Sequence, residues 1–127
     1  MVFGDSTLYL ITDRTLSRGR MTTEVVQAAL AGGVDVVQLR EKEAETASIV
    51  EEVLRVHEPT ARYNVPLIIN DRVDVALAIE AEGVHVGQTD LPASLARKLF
   101  PHPGILGVST SNVNMAQRAQ QDDADYR

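Results

Sequence analysis

Short apolar runs alternate with longer amphipathic segments along this 127-residue chain. The runs are rich in Val, Ile and Leu, and each of them gives way to polar residues. Short apolar runs separated by segments with helical spacing are typical of a parallel sheet covered by helices. The predicted strands are residues 8–11, 35–40, 66–70, 83–87 and 105–108, and residues 124–126 begin a sixth.

The segments between the runs have the spacing of helices that pack one face against a sheet. Thr22 or Thr23 is expected to cap the first helix. The second helix is expected over residues 44–57, where Pro59 would stop it, and Pro92 is expected in the first turn of the fourth. A short fifth helix is expected over residues 113–121. The apolar positions of the first four are Val25, Val26, Ala29, Leu30, Ile49, Val50, Val53, Leu54, Val56, Val73, Ala76, Leu77, Ile79, Leu95, Ala96, Leu99 and Phe100.

The repeated strand–loop–helix unit leaves two architectures open: a doubly wound open sheet and part of a (β/α)8 barrel. The first strand-to-helix loop lacks the Gly-x-Gly-x-x-Gly signature, and no Gly-x-x-x-x-Gly-Lys loop occurs. A complete barrel needs ~200 or more residues. Because no linker or change of composition divides the chain, we expect one α/β domain over residues 1–127.

Composition narrows the function classes. The net charge of −6 argues against a nucleic-acid partner or an anionic membrane surface. The absence of cysteine excludes a disulfide framework, a thiolate zinc site and a cysteine nucleophile. No secretory leader or apolar run long enough to span a bilayer is apparent, so we expect a soluble cytoplasmic protein.

Polar residues cluster where the predicted strands end. In parallel α/β folds the carboxyl ends of the strands form the rim at which ligands bind. Asn, Asp and Ser also suit turns and helix caps, so one such cluster alone would have little meaning. Five in succession favour an active site, and they occupy residues 12–14, 38–42, 70–72, 88–90 and 109–112.

Asp71 and Asp90 each follow a strand of the unit formed by residues 66–90. A strand–helix–strand unit opens both carboxyl ends on the same side of the sheet, which places the two carboxylates side by side. Adjacent carboxylates are costly unless a cation or a proton lies between them. The pair therefore predicts a site for a divalent cation.

Arg40 and Lys42 follow the second strand, with Gln38 on the same side as Arg40. Converging cations suggest a phosphate or diphosphate ligand. A structural ion-pair network with Asp71 or Glu41 is an equally open interpretation of the two cations taken alone. With the carboxylate pair beside them, magnesium (Mg2+) held against a diphosphate becomes the favoured interpretation.

The remaining polar residues are ambiguous. His85 alternates with valines and is expected to be a packed interior residue, whereas His57 and His102 are expected at the surface. Asp13-Arg14 is expected to form an ion pair that stabilises the first loop. Ser109 suits a phosphate contact, a cap for the following helix, or both.

Several segments together resemble the thiamine phosphate synthase family. They are LYLITDR at 8–14, GVDVVQLREKE at 33–43, PLIINDRVDVALA at 66–78, GVHVGQTD at 83–90 and ILGVSTS at 105–111. The resemblance implies a (β/α)8 barrel that joins a hydroxymethylpyrimidine diphosphate to a thiazole phosphate, releases diphosphate and forms thiamine phosphate.

The resemblance also implies roles for particular residues. Asp71 and Asp90 would hold Mg2+, Ser109 would contact the pyrimidine substrate, and Arg40 and Lys42 would act at the phosphates as the catalytic residues. The residues that would bind the pyrimidine diphosphate are Gln38, Leu39, Arg40, Glu41, Lys42 and Asn70.

Two departures from the family qualify these expectations. Ser111 stands where a histidine is common, and Arg127 follows Tyr126 where the family continues into a Thr-rich loop with a lysine and Gly-rich phosphate-binding strands. We therefore expect a chain that is C-terminally incomplete. It is either a fragment, a truncated product or half of an assembly, and its parent is expected to be a homo-oligomer or fused to a hydroxyethylthiazole kinase. A thiazole tautomerase-like protein and a non-catalytic pyrimidine-diphosphate-binding remnant are the alternative functions.

Overall fold

A computed structural model describes residues 3–4 and 6–127 of the chain. Strands and helices alternate throughout this part, and all neighbouring strands pair in parallel in the order β1-β2-β3-β4-β5. None of the described helices is long and apolar enough to cross a membrane. The elements are β1 Tyr9–Ile11, α1 Thr22–Ala31, β2 Val36–Leu39, α2 Thr46–Arg62, β3 Leu67–Asn70, α3 Val73–Ala78, β4 Gly83–Val86, α4 Ala93–Leu99, β5 Ile105–Val108 and α5 Val113–Gln121.

The sequential strand order distinguishes between the two predicted architectures. A doubly wound sheet reverses its order at a switch point and places helices on both faces. Here the order never reverses, and buried residues from all five described helices share one core with one face of the sheet. The predicted α/β fold, a partial (β/α)8 barrel, is confirmed. Tyr126 forms a parallel bridge with Gly107 of β5, so the predicted start of a sixth strand is confirmed as well.

The alternation along β2 shows how the sheet separates its two faces. Val37 and Leu39 are buried in the core beneath the helices. Val36 belongs to a second cluster, on the face that becomes the barrel interior, and Gln38 shares that side because successive side chains alternate. The other members of this interior cluster are Ile68 and Ile105, with Phe3, Tyr9 and Tyr126 packed against them.

Pro59 does not end α2, so that prediction is wrong: the helix continues to Arg62. Two hydrogen bonds hold this last turn. The Thr60 hydroxyl donates to the carbonyl of His57, and the Tyr63 amide donates to the carbonyl of Pro59. The prediction that His57 lies at the surface is met only in part. Its ring is half-buried, 3.0 Å from a carboxylate oxygen of Glu82.

At three helix starts, the predicted cap or first-turn residue differs from the structure. Met21 precedes α1 without any side-chain cap, so neither Thr22 nor Thr23 caps it. Pro92 is the residue before the first turn of α4 rather than part of it. The cap of α5 is Asn112, whose side chain accepts a hydrogen bond of 2.8 Å from a main-chain amide. A cap role for Ser109 is therefore wrong.

The buried face of α4 is rotated by about one position from the prediction. Leu95 and Leu99 were expected in the core but are 45% and 52% exposed, whereas Ala96 and Phe100 are buried as predicted. Arg97 takes the third buried position, with only 9% exposure. Main-chain carbonyls and a carboxylate surround its guanidinium and accept its hydrogen bonds. These partners stabilise the buried charge at a position where the hydrophobic pattern predicts an exposed side chain.

Candidate active site

The loops after the strands are joined into one rim by hydrogen bonds. The Thr12 amide donates to the carbonyl of Gln38 at 3.0 Å, which links the loop after β1 to β2. The Asp71 amide donates to the carbonyl of His85 at 2.7 Å, which links the loop after β3 to β4. These bonds place the loop residues beside one another along the edge where parallel strands end.

Asp71 and Asp90 lie together on this rim. Burial raises the pKa of Asp71, and the charge of neighbouring Asp90 raises it further against the opposing effects of Arg72 and Lys42. Asp90 is held by the amide of Gly87, which donates to its Oδ2 at 2.7 Å. The side-by-side placement predicted from the strand–helix–strand unit is confirmed.

The carboxylate pair suits a hexacoordinate cation that brings other ligands with it. Within residues 3–4 and 6–127, no group of three or more His, Cys, Asp or Glu side chains is arranged to hold a metal by itself. Mg2+ usually takes one or two carboxylates and completes its shell with waters and substrate phosphates. The pair therefore fits Mg2+ bound together with a phosphate-bearing ligand.

The two cations predicted beside the carboxylates lie at the rim. Arg40 is exposed, and its guanidinium lies 3.7 Å from Asp13, so its ion-pair partner is neither Asp71 nor Glu41. Lys42 is exposed and close enough to oppose the raised pKa of Asp71. Exposed cationic ends of this kind can turn towards an anionic ligand at small cost.

Leu39 and Glu41 are placed differently from their neighbours. Leu39 is 2% exposed and packs in the core beneath the helices, so only its main chain borders the rim. The Glu41 carboxylate is engaged by Arg14 at 2.6 Å, and Arg14 also lies 3.3 Å from Glu52 of α2. The ion pair expected between Asp13 and Arg14 is therefore wrong: Arg14 pairs with Glu41 and Glu52, and Asp13 pairs with Arg40.

Behind the rim, polar side chains form a continuous hydrogen-bonded chain that we call the interior network. Its members lie on the side of the sheet opposite the helices or just beyond the strand ends. Sequence reasoning missed the two tyrosines, although a tyrosine at an inward position of an apolar strand is a signal that its hydroxyl has a polar partner. The network consists of Asn70, Gln38, Tyr9, Tyr126, His85 and Ser109.

His85 is the link between the interior and the rim. Its Nδ1 lies 3.0 Å from the Tyr126 hydroxyl, and its Nε2 lies 2.7 Å from the Ser109 hydroxyl. Burial lowers the pKa of His85, so the neutral imidazole is favoured. The expectation of a packed interior histidine is confirmed, and the structure adds a hydrogen-bond partner on each ring nitrogen.

A large groove lies away from this rim. It has a volume of about 520 Å³ and is lined mainly by apolar residues that precede the strands or belong to α3 and the end of α4. This is the opposite end of the sheet, where parallel α/β folds rarely place chemistry. The candidate active site is therefore the rim and the interior network.

Comparisons with known proteins give one consistent result. Residues 8–127 match the sequence profile of the family described as thiamine monophosphate synthase. The chain is 53% identical over 122 residues to a thiamine-phosphate synthase of Chloroflexus aurantiacus, covering 96% of this chain and 56% of the relative. It is 51% identical over 122 residues to a thiamine-phosphate synthase of Methanobrevibacter smithii, with 96% and 58% covered.

A solved structure agrees with the sequence relatives. The thiamine phosphate pyrophosphorylase from Pyrococcus furiosus superposes with a TM-score of 0.85 at 37% identity, covering 94% of this chain and 57% of that one. The chain thus spans little more than half the length of the relatives it matches.

Proposed function

The chain belongs to the thiamine monophosphate synthase family, and from that premise we propose that its rim binds 4-amino-2-methyl-5-(diphosphooxymethyl)pyrimidine. The bound pyrimidine would be condensed with a thiazole phosphate, which releases diphosphate and forms thiamine phosphate. The observation that carries the proposal is the placement of two adjoining carboxylates beside two exposed cations. In a magnesium diphosphate, the metal ion complements the carboxylate pair and the phosphate oxygens complement the two cationic side chains.

The proposed binding roles follow from placement. Arg40 and Lys42 would take the phosphate oxygens, because both are exposed at the rim. The amides of Gln38 and Asn70, hydrogen-bonded to each other at 2.9 Å, would hold the pyrimidine ring over the interior network. The hydroxyl of Ser109 would contact the same substrate from the end of β5.

Asp71 and Asp90 are the residues that would hold Mg2+. When bound, the ion supplies positive charge next to the diphosphate as it leaves. Its fit rests on the adjacency of the two carboxylates, since a cation between them would remove the repulsion that adds to burial in raising the pKa of Asp71.

The proposed reaction needs only binding and charge stabilisation from the chain's own residues. The bond between the exocyclic carbon and the diphosphate oxygen breaks, and its electron pair leaves with the diphosphate. The pyrimidine ring stabilises the carbon cation that remains, and the lone pair of the thiazole nitrogen forms the new bond. Arg40 and Lys42 offset the charge of the leaving group, and no general base or covalent nucleophile is required.

Two alternative functions have less support. Thiazole tautomerase-like relatives tend to lose the metal-binding aspartates, whereas Asp71 and Asp90 are present and adjacent here. A non-catalytic pyrimidine-diphosphate-binding protein would share the rim and differ only in turnover, so an assay of thiamine phosphate formation separates it from the synthase. Cytoplasmic location, homo-oligomerisation and fusion to a hydroxyethylthiazole kinase stay predictions.

Binding of the pyrimidine diphosphate is expected to require Mg2+, because the carboxylate pair otherwise repels the ligand. Titration calorimetry with millimolar magnesium should give an affinity at least roughly 100-fold higher than in EDTA, the scale of two or more charge-assisted contacts. The corresponding pyrimidine alcohol, which lacks the diphosphate, is the matched ligand and should show no magnesium effect. Equal affinity for the diphosphate with and without magnesium would overturn the proposal.

Replacing Arg40 with methionine is expected to weaken pyrimidine diphosphate binding by about 10-fold to 100-fold, the equivalent of one charge-assisted hydrogen bond. The same calorimetric titration in saturating magnesium measures the change. Arg62→Met is the control, since Arg62 is also an exposed arginine in an ion pair but lies at the end of α2 away from the rim. An identical affinity for the two variants would mean that Arg40 has no contact with the phosphates.

A further inference from the structure

We infer that Tyr126 is a positioning residue: its hydroxyl joins Tyr9 to His85, fixes the His85 ring as the Nε2–H tautomer, and thereby leaves the hydroxyl hydrogen of Ser109 free to donate to a ligand. The inference rests on the proposed function only for the identity of that ligand. Its geometry stands on the interior network itself.

The network has a direction at its first end. The Asn70 amide nitrogen donates to Gln38 Oε1 at 2.9 Å. The Gln38 amide nitrogen in turn donates to the Tyr9 hydroxyl oxygen at 2.9 Å. Because Tyr9 already accepts a hydrogen from Gln38, its own hydrogen is available for a different partner.

That partner is Tyr126, whose hydroxyl oxygen is hydrogen-bonded to the hydroxyl oxygen of Tyr9. If Tyr9 donates, the hydrogen of Tyr126 goes to Nδ1 of His85 at 3.0 Å. The ring hydrogen of neutral His85 must then lie on Nε2, from which it is donated to the Ser109 hydroxyl oxygen at 2.7 Å. Ser109 consequently accepts within the network and can donate outside it.

The opposite direction leaves the half-buried Tyr9 hydroxyl, rather than the exposed Ser109 hydroxyl, with a hydrogen that has no partner in the network. It would require His85 Nδ1–H to donate to Tyr126 and Tyr126 to donate to Tyr9. Since Gln38 already donates to Tyr9, the Tyr9 hydrogen would have no place in the network, in a ring that is largely removed from solvent. A buried donor without an acceptor is costly, so the first direction is favoured. Burial also raises the pKa of Tyr126, which keeps its hydroxyl protonated as the donor to His85.

Packing holds Tyr126 in this position. Its ring centroid lies 5.6 Å from that of Tyr9 and 5.5 Å from that of His85. Gly107 makes the approach possible, because a Cβ at that position would lie 2.5 Å from His85 Nδ1 and would overlap the Tyr126 ring. The main-chain carbonyl of Tyr126 accepts from the Val108 amide at 3.1 Å, which fixes the residue alongside β5.

Substitution of the two tyrosines distinguishes a positioning role from general disruption. Tyr126→Phe removes the donor to His85 Nδ1, so the Nδ1–H tautomer should become populated. Tyr9→Phe also removes one hydroxyl from the same buried network, but it leaves the Tyr126–His85 bond, so the Nε2–H tautomer should persist. Imidazole 15N chemical shifts, recorded on 15N-histidine-labelled protein, report the tautomer directly, and circular dichroism confirms that each variant is folded.

The original protein should show the Nε2–H tautomer at His85, and only Tyr126→Phe should change it. A predominant Nδ1–H tautomer in the original protein would overturn the inference without any variant. It would equally be overturned if both substitutions changed the tautomer or if neither did.

Affinity for the pyrimidine diphosphate tests whether Tyr126 acts through Ser109. Tyr126→Phe should weaken binding by about 10-fold in calorimetry, the scale of one hydrogen bond, and should have no further effect in a Ser109→Ala background. Additive losses would overturn action through Ser109. If the original protein fails to bind this ligand at all, the proposed function fails, while the 15N spectra still test the inference about Tyr126.

Discussion

Asp71→Asn is expected to abolish the magnesium-dependent gain in affinity for the pyrimidine diphosphate without lowering the free energy of unfolding. An amide has no charge to offer the cation, so the gain of at least roughly 100-fold expected from magnesium should disappear. Calorimetric titrations with and without magnesium measure this loss.

The stability expectation follows from the sign of the pKa shift. Burial and then the charge of Asp90 raise the pKa of Asp71, so the ionised carboxylate is less favourable in the folded chain than in the unfolded one. This penalty is absent at low pH and develops as the pH rises from the unfolded pKa through the higher folded pKa. At neutral pH, removal of the charge should leave the unfolding free energy unchanged or slightly higher.

The backbone supports the choice of asparagine. Asp71 has a φ of 65°, in the left-handed region that asparagine tolerates better than most residues. Alanine would add backbone strain to the loss of charge and confuse the two effects. Asp123, with a φ of 66° and an exposed carboxylate, follows α5 at the opposite end of the sheet and offers a matched control.

Asp123→Asn removes the same charge from the same backbone conformation and should retain the full magnesium effect. Urea denaturation of both variants gives their stabilities. If Asp71→Asn collapsed the fold, Asp71 would be part of a structural ion-pair network rather than a ligand. If Asp71→Asn kept the magnesium effect, the pair would not be the cation site.

Arg97→Met should lower the free energy of unfolding by about 3–5 kcal/mol, the cost of breaking a buried ion pair by removing one partner. The guanidinium donates to the carbonyls of Phe100, Gly104 and Asp123 at 2.7–3.2 Å and to the carboxylate of Asp125 at 2.7 Å. Methionine would leave these carbonyls short of a donor and the carboxylate without its cation. A loss of this size is a large part of a domain stability of about 5–15 kcal/mol.

Urea denaturation followed by circular dichroism measures the loss, and Lys98→Met is the control. Lys98 is the next residue of α4 and is exposed, so its substitution should change stability by no more than about 0.5 kcal/mol. In the double variant Arg97→Met with Asp125→Asn, the loss should be smaller than the sum of the two single losses, because the two side chains share one ion pair. Additive losses would refute the shared ion pair, and equal stability of Arg97→Met and Lys98→Met would refute a structural role for this arginine.

Much of the candidate site was predictable because it depends on local order along the chain. Each apolar run predicts a strand, and each polar cluster after a run predicts a rim position, as Asp71 and Asp90 illustrate. The strand–helix–strand connection has one hand, so their adjacency follows from sequence spacing. Motifs such as QLREK and IINDR then indicated the family that the comparisons showed.

The errors have a common physical origin in contacts between distant segments. Leu95 and Leu99 fit the apolar spacing of α4, but Arg97 is buried instead because carbonyls beyond the helix satisfy it. Pro59 was expected to stop α2, but the helix continues because its last turn, which includes Pro59 and Thr60, is buried against the rest of the chain. Hydrophobic spacing does not reveal such partners, because they belong to other elements.

The sequence by itself determined the alternation of strands and helices, the rim and its carboxylate pair, since each depends on periodicity and on the fixed hand of the strand connections. Only the tertiary structure decided the interior network. Tyr9 and Tyr126 are 117 positions apart, and their hydroxyls meet because parallel pairing brings the first strand and the bridge beside β5 to the same interior. Hydrogen bonds are directional and short, so their partners are known only once the sheet has curved enough to bring these side chains together.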